Sequence, residues 1–76
     1  MIEVKQDKKS KIYQIARYLK EHGESTSADI AKGVGSRNLI VHEVSNICSR
    51  HPEIFTMTKV NRQRNVYSLN SEVVFV

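Results

Sequence analysis

The chain has 76 residues, a single Cys and a formal net charge of +4. This length lies near the lower limit for folding without staples, and one Cys excludes an internal disulfide, so packing or a partner subunit must supply the core. No apolar run approaches the roughly 18 residues of a membrane span, and Met1-Ile2-Glu3-Val4-Lys5 lacks the basic start and apolar stretch of a signal peptide; the expectation is a cytoplasmic protein that binds no membrane.

The pI of about 9.5 favours a polyanionic partner. From Ser36 to Tyr67 the basic residues are Arg37, Arg50, Lys59, Arg62 and Arg64, against Glu43 and Glu53. A second basic cluster, Lys5, Lys8, Lys9 and Lys11, lies near the N-terminus, and Glu21 to Asp29 leans acidic. Lys8, Lys9 and Lys11 are expected to touch phosphates or to form a free arm.

The first helical signal is the stripe Ile12, Ile15, Ala16 and Leu19, which predicts a helix over about 8–22 with Gly23 as its stop. Glu24 to Thr26 reads as a short extended piece. Thr26 followed three residues later by Asp29 resembles a capping box, with Ser27 as the alternative cap, and predicts a short second helix ending at Gly33. Gly33-Val34-Gly35 reads as a tight turn with Val34 as an apolar plug. Ser36 suits the N-cap of a third helix, about 36–50, whose buried stripe is Ile40, Val44, Ile47 and Cys48. Opposite lie Asn38, His42, Ser45 and Ser49, all polar and none a long acid. Pro52 ends this helix, because the residue before a proline avoids helical angles.

After Pro52 the period changes to two. Glu53 to Val60 is rich in β-branched and aromatic residues, Asn61 to Asn65 reads as a turn, and Val66 to Asn70 as the returning strand. Arg62 and Arg64 therefore stand at a hairpin tip. The fold class is α+β, one domain over 1–76 with its core at about 8–70 and an apolar tail at 71–76.

The order helix, extended piece, helix, turn, helix, hairpin resembles the winged helix-turn-helix family. Ser27-Ala28-Asp29-Ile30-Ala31 is similar to the start of that family's second helix, Ile40, Val44 and Ile47 to the core of its recognition helix, and the hairpin around Asn61 to Asn65 to its wing. The small size and Lys-rich, β-branched style also look like the very small regulators of crenarchaeal viruses and plasmids. The resemblance implies a sequence-specific, double-stranded DNA-binding transcription regulator. Its recognition helix would enter the major groove, and its wing, about 54–69, would reach the flanking backbone or minor groove. The DNA-binding residues it implies are Ser36, Arg37, Asn38, Val41, His42, Ser45 and Asn46 on the helix, and Lys59, Arg62, Gln63 and Arg64 on the wing.

Side-chain chemistry agrees with those roles. Asn pairs bidentately with adenine, Arg with guanine, and Val41 suits a thymine methyl. Wing arginines neutralise phosphate or enter a narrow minor groove. Backbone amides at Ser36 to Asn38 suit a phosphate. The helix is less basic than the family pattern, so two protomers on one site would supply the missing contacts.

Other chemistry has little footing. Cys48 and His51 lack further ligands at zinc spacing, and Cys48 falls on the apolar stripe, so it reads as a core residue and no metal or other cofactor is expected. No phosphate loop or nucleophile motif appears, so no enzyme is expected. Two readings remain open for Ser71 to Val76: the tail packs on its own first helix or hairpin, or it is buried against a second copy. A second functional reading is a winged-helix protein-interaction module that works through this tail. A third is shape-selective or Z-form nucleic-acid binding.

Overall fold

The computed structural model describes residues 1–35, 39–61 and 64–76, with Asn61 and Arg64 described in their backbone alone. Ser36, Arg37 and Asn38, and Arg62 and Gln63, lie outside the described residues. The elements run β1 (Ile2–Val4), α1 (Lys11–His22), β2 (Ser25–Thr26), α2 (Ser27–Val34), α3 (Val41–Arg50), β3 (Phe55–Asn61), β4 (Arg64–Leu69) and β5 (Val73–Phe75). The described residues form an α+β fold of three helices, a three-stranded sheet in the order β2-β4-β3, and a two-stranded sheet of β1 and β5.

Helix α1 starts at Lys11, later than residue 8, because Asp7 turns the chain first. Its carbonyl accepts from the Ser10 amide at 2.9 Å and its side chain from the Lys9 amide at 3.0 Å. Ser10 then caps the helix, its Oγ accepting from the Tyr13 amide. Gly23, at φ 78°, closes the far end and its amide donates to the Leu19 carbonyl. Tyr13, Ile15, Ala16 and Leu19 are buried, so the expected stripe holds with Tyr13 added and Ile12 half-buried.

The Thr26 cap of α2 is present: its Oγ1 accepts from the Asp29 amide at 3.2 Å. Ser25 and Thr26 pair antiparallel with Tyr67 and Val66, which makes the short extended piece a strand of the sheet. The helix does not end at Gly33. Gly33 and Val34 are helical, and the left-handed residue is Gly35, at φ 67°. Gly33 serves a different purpose, since a Cβ there would come within 2.0 Å of a Tyr18 ring carbon. The bare backbone lets α2 close on α1.

Helix α3 departs most from expectation. It begins at Val41, and its N-cap position is Ile40, extended at φ −103°, with no side-chain cap hydrogen bond. Ser36 is therefore not its N-cap. Ile40 precedes the helical register, so it leaves the predicted stripe and is 59% exposed. Leu39, 3% exposed, reaches the core instead, alongside Val44 and Cys48, with Ile47 half-buried. Burial pushes the Cys48 thiol up to about 12, as befits a small apolar core residue.

The hairpin strands run further than the sequence pattern predicts. Asn61 pairs with Arg64 and Lys59 with Asn65, and a register shift between Lys59 and Asn61 leaves Val60 as the extra residue. Asn70 anchors the base of the hairpin, its amide donating to the Ile54 carbonyl and its Nδ2 to the Glu53 carbonyl.

The tail resolves as an intramolecular strand. β5 pairs in parallel with β1, Ile2 opposite Val73 and Val4 opposite Phe75. Phe75 meets Tyr13 edge-on with ring centroids 5.5 Å apart. The apolar cluster thus includes Val4, Val73 and Phe75, outside the expected 8–70 core. Its largest fully buried side chains are Phe55, Ile15, Ile30 and Val44. Burial of each contributes about 1.5–3 kcal/mol.

Candidate functional site

The outer face of α3 follows from its buried one. With Val44 and Cys48 inward, the 100° step of a helix sends His42, Asn46 and Ser49 outward, and all three are exposed, as is Arg50. Val41 is 48% exposed on one flank. Ser45 was expected on the outer face with His42 and Ser49. It lies on the flank with Val41 instead, half-buried, its Oγ 2.8 Å from the Oγ of Ser27 on α2. The opposite flank carries Glu43, the single acid of α3, which accepts a hydrogen bond from Lys11 Nζ of α1.

The second wall is the hairpin. Phe55, Met57 and Lys59 share one face by the two-residue period of a strand, and Met57 and Lys59 lie opposite Tyr67 and Asn65. Phe55 and Tyr67 are buried against the helices, so this is the face turned toward them. Towards the tip Lys59 and Asn65 are exposed on it. Of the sequence-predicted residues, then, Val41, His42, Ser45, Asn46 and Lys59 have described side chains. Arg64 is placed in β4 by its backbone, and Ser36, Arg37, Asn38, Arg62 and Gln63 fall outside the described residues.

Between the walls lies a groove of about 440 Å³. Val41 and Ser45 line it from α3, Asn65 and Tyr67 from β4, and Thr26 to Asp29 from the start of α2. Of its lining, sequence reasoning selects Val41 and Ser45 as site residues and misses Thr26, Ser27, Ala28, Asp29, Asn65 and Tyr67. Counting back by two from Tyr67 places Asn65 on the groove face, a signal that reading it as a turn residue conceals. No sequence signal pairs Ser27 with Ser45, since they are 18 residues apart.

The groove lining is polar, with Asp29 as its one charged side chain among the described residues. Asp29 brings its carboxylate to the α2 side, while Lys59 on the hairpin and Arg50 at the end of α3 are exposed outside the lining. Long cations beside an array of hydroxyl, carboxamide and imidazole groups can meet an anionic, hydrogen-bonding partner. Among the described residues, no three His, Cys, Asp or Glu side chains gather where they could hold a metal ion, and no helix is long and apolar enough to cross a membrane. Comparison of this chain with protein-family models, with curated proteins and with solved structures finds no match.

Proposed function

We propose that the chain is a sequence-specific, double-stranded DNA-binding transcription regulator of the winged helix-turn-helix kind. The observation that carries this reading is the face of α3: His42, Asn46 and Ser49 stand outward without an acid among them, and the hairpin beside the Val41 and Ser45 flank carries exposed Lys59 and Asn65. Ordinary solvent faces favour long charged helix formers, which this one largely lacks. The element order and the pairing of β2 with the returning hairpin strand support the same reading.

In this mechanism α3 enters the major groove. His42 and Asn46 meet base edges, with Arg37 and Asn38 just before the helix as further base readers. Lys59, Arg62 and Arg64 supply sequence-independent affinity to the flanking backbone or minor groove. Two protomers on one site raise the modest charge of a single helix to a useful affinity. Regulation follows from occlusion or recruitment at a promoter, without catalysis. The competing interaction-module reading uses the C-terminal tail, and there Val73 and Phe75 already pack inward while Val74 and Val76 stay exposed.

The test is a titration of labelled duplexes at two salt concentrations, one carrying the DNA upstream of the chain's own coding sequence and one of random sequence. Tight binding to the first and weak, salt-steep binding to the second is expected. Equal binding to both would replace sequence readout with a shape-selective role. Binding to neither would transfer the function to protein interaction.

A further inference from the structure

The Lys11–Glu43 pair joins two elements with no local reason to be joined. Lys11 is the first residue of α1, and that first turn holds no acid. A cation there opposes the helix dipole, whereas Lys and Arg belong at helix C-termini. Lys11 is thus in the wrong place for the helix it starts. Glu43 is in the right place for its own, since it lies in the first turn of α3, where a carboxylate is favoured without any partner. The two side chains are 37% and 32% exposed, and exposed pairs add little to stability. Local helix chemistry therefore leaves the lysine unexplained, and such departures concentrate where function overrides propensity.

The surroundings supply the purpose. Glu43 follows His42 directly and is the single acid on α3. An unpaired carboxylate here would lie beside a helix that faces a polyanion. We infer that Lys11 is a positioning residue for DNA binding: it holds the Glu43 carboxylate on the α1 flank and cancels its charge, which keeps the outer face of α3 free of acid. This rests on the DNA-binding reading. It assigns Lys11 a role other than phosphate contact, because its ammonium is paired with Glu43.

A double-mutant cycle on the full chain separates the two roles, using a labelled random-sequence duplex at low salt. With Glu43 present, Lys11→Gln should weaken binding about fivefold, the scale of one unscreened charge at close range. In a Glu43→Gln background the same change should cost less than about twofold, because no acid remains to be held. Lys11→Arg should match the wild type, and the melting temperature of every variant should stay close to it. Equal losses in both backgrounds would overturn the inference and put Lys11 on a phosphate, while no loss in either would remove the pair from DNA binding altogether. Should Lys11→Gln fold poorly, Glu43→Gln alone carries the test: it should bind at least as tightly as the wild type, and weaker binding overturns the inference. A wild-type chain that binds no duplex would instead overturn the proposed function, and the inference with it.

Discussion

Helices α1 and α3 are both amphipathic, yet they are held in opposite ways. α1 buries Tyr13, Ile15, Ala16 and Leu19, is capped by Ser10 and Gly23, and is covered at one flank by Phe75 from the C-terminal strand. α3 buries Val44 and Cys48, begins at an exposed isoleucine without a side-chain cap, and leaves its polar face bare. In α1 local preference and tertiary packing agree almost everywhere. In α3 the uncapped start and the unspent polar face are features that stability alone does not favour. The contrast separates a helix that builds the molecule from a helix that the molecule displays.

The largest expected effect breaks the scaffold helix. Ile15→Ala removes a side chain with no exposure and should cost about 3 kcal/mol of unfolding free energy, while Asn46→Ala on the outer face of α3 should stay within about 0.5 kcal/mol. Urea denaturation of both variants checks this, and comparable losses would erase the distinction between the helices. Next comes the seam between α1 and α2. Gly33→Ala drives a methyl group into the Tyr18 ring and should cost about 2 kcal/mol, read as a lower urea midpoint at unchanged slope.

The third prediction moves to the displayed helix. His42→Ala and Asn46→Ala should each weaken binding to the preferred duplex by about five- to tenfold with melting temperature unchanged, because each removes a base-edge contact worth about 1 kcal/mol or more. Arg62→Ala should instead weaken all sequences alike and lower the salt slope by about 1. Loss of discrimination from Arg62→Ala with nonspecific binding intact would reverse those roles.

The smallest effect near neutral pH concerns the anchor of α3. The Cys48 thiol is raised from 9.0 to about 12 by burial, so the folded chain keeps a proton that the unfolded chain releases. Its contribution to stability is complete below pH 9.0 and is lost as the pH rises toward about 12. Urea midpoints measured at rising alkaline pH should fall more steeply for the wild type than for Cys48→Ala. Parallel curves would mean that Cys48 ionises in the folded state as easily as in the unfolded one.

Much of this organisation is legible in the residues themselves. The period of α1, the Gly23 stop, the Thr26 cap, the Pro52 boundary and the switch to period two after it all follow from interactions within a few residues, and the structure has each of them. The same local rules misplace the start of α3. Ser36 is a good cap by type, and Ile40 fits a helical stripe by spacing, but neither property says where the chain stops being extended. Leu39 takes the core position because the segment enters the helix from an extended conformation, which shifts the inward residue by one.

Composition and spacing by themselves determined three helices followed by a hairpin, their order, and which residue types a third helix would carry. Only the tertiary structure decided where those side chains point. Ser45 turns to Ser27 across 18 residues, Glu43 to Lys11 across 32, and the tail to a strand at the other end of the chain. A periodic pattern encodes the inward face of an element. It carries no information on which element will stand opposite a hydroxyl, a carboxylate or an open strand edge. That depends on how the helices and sheets settle against one another, and so on the packing of the whole core.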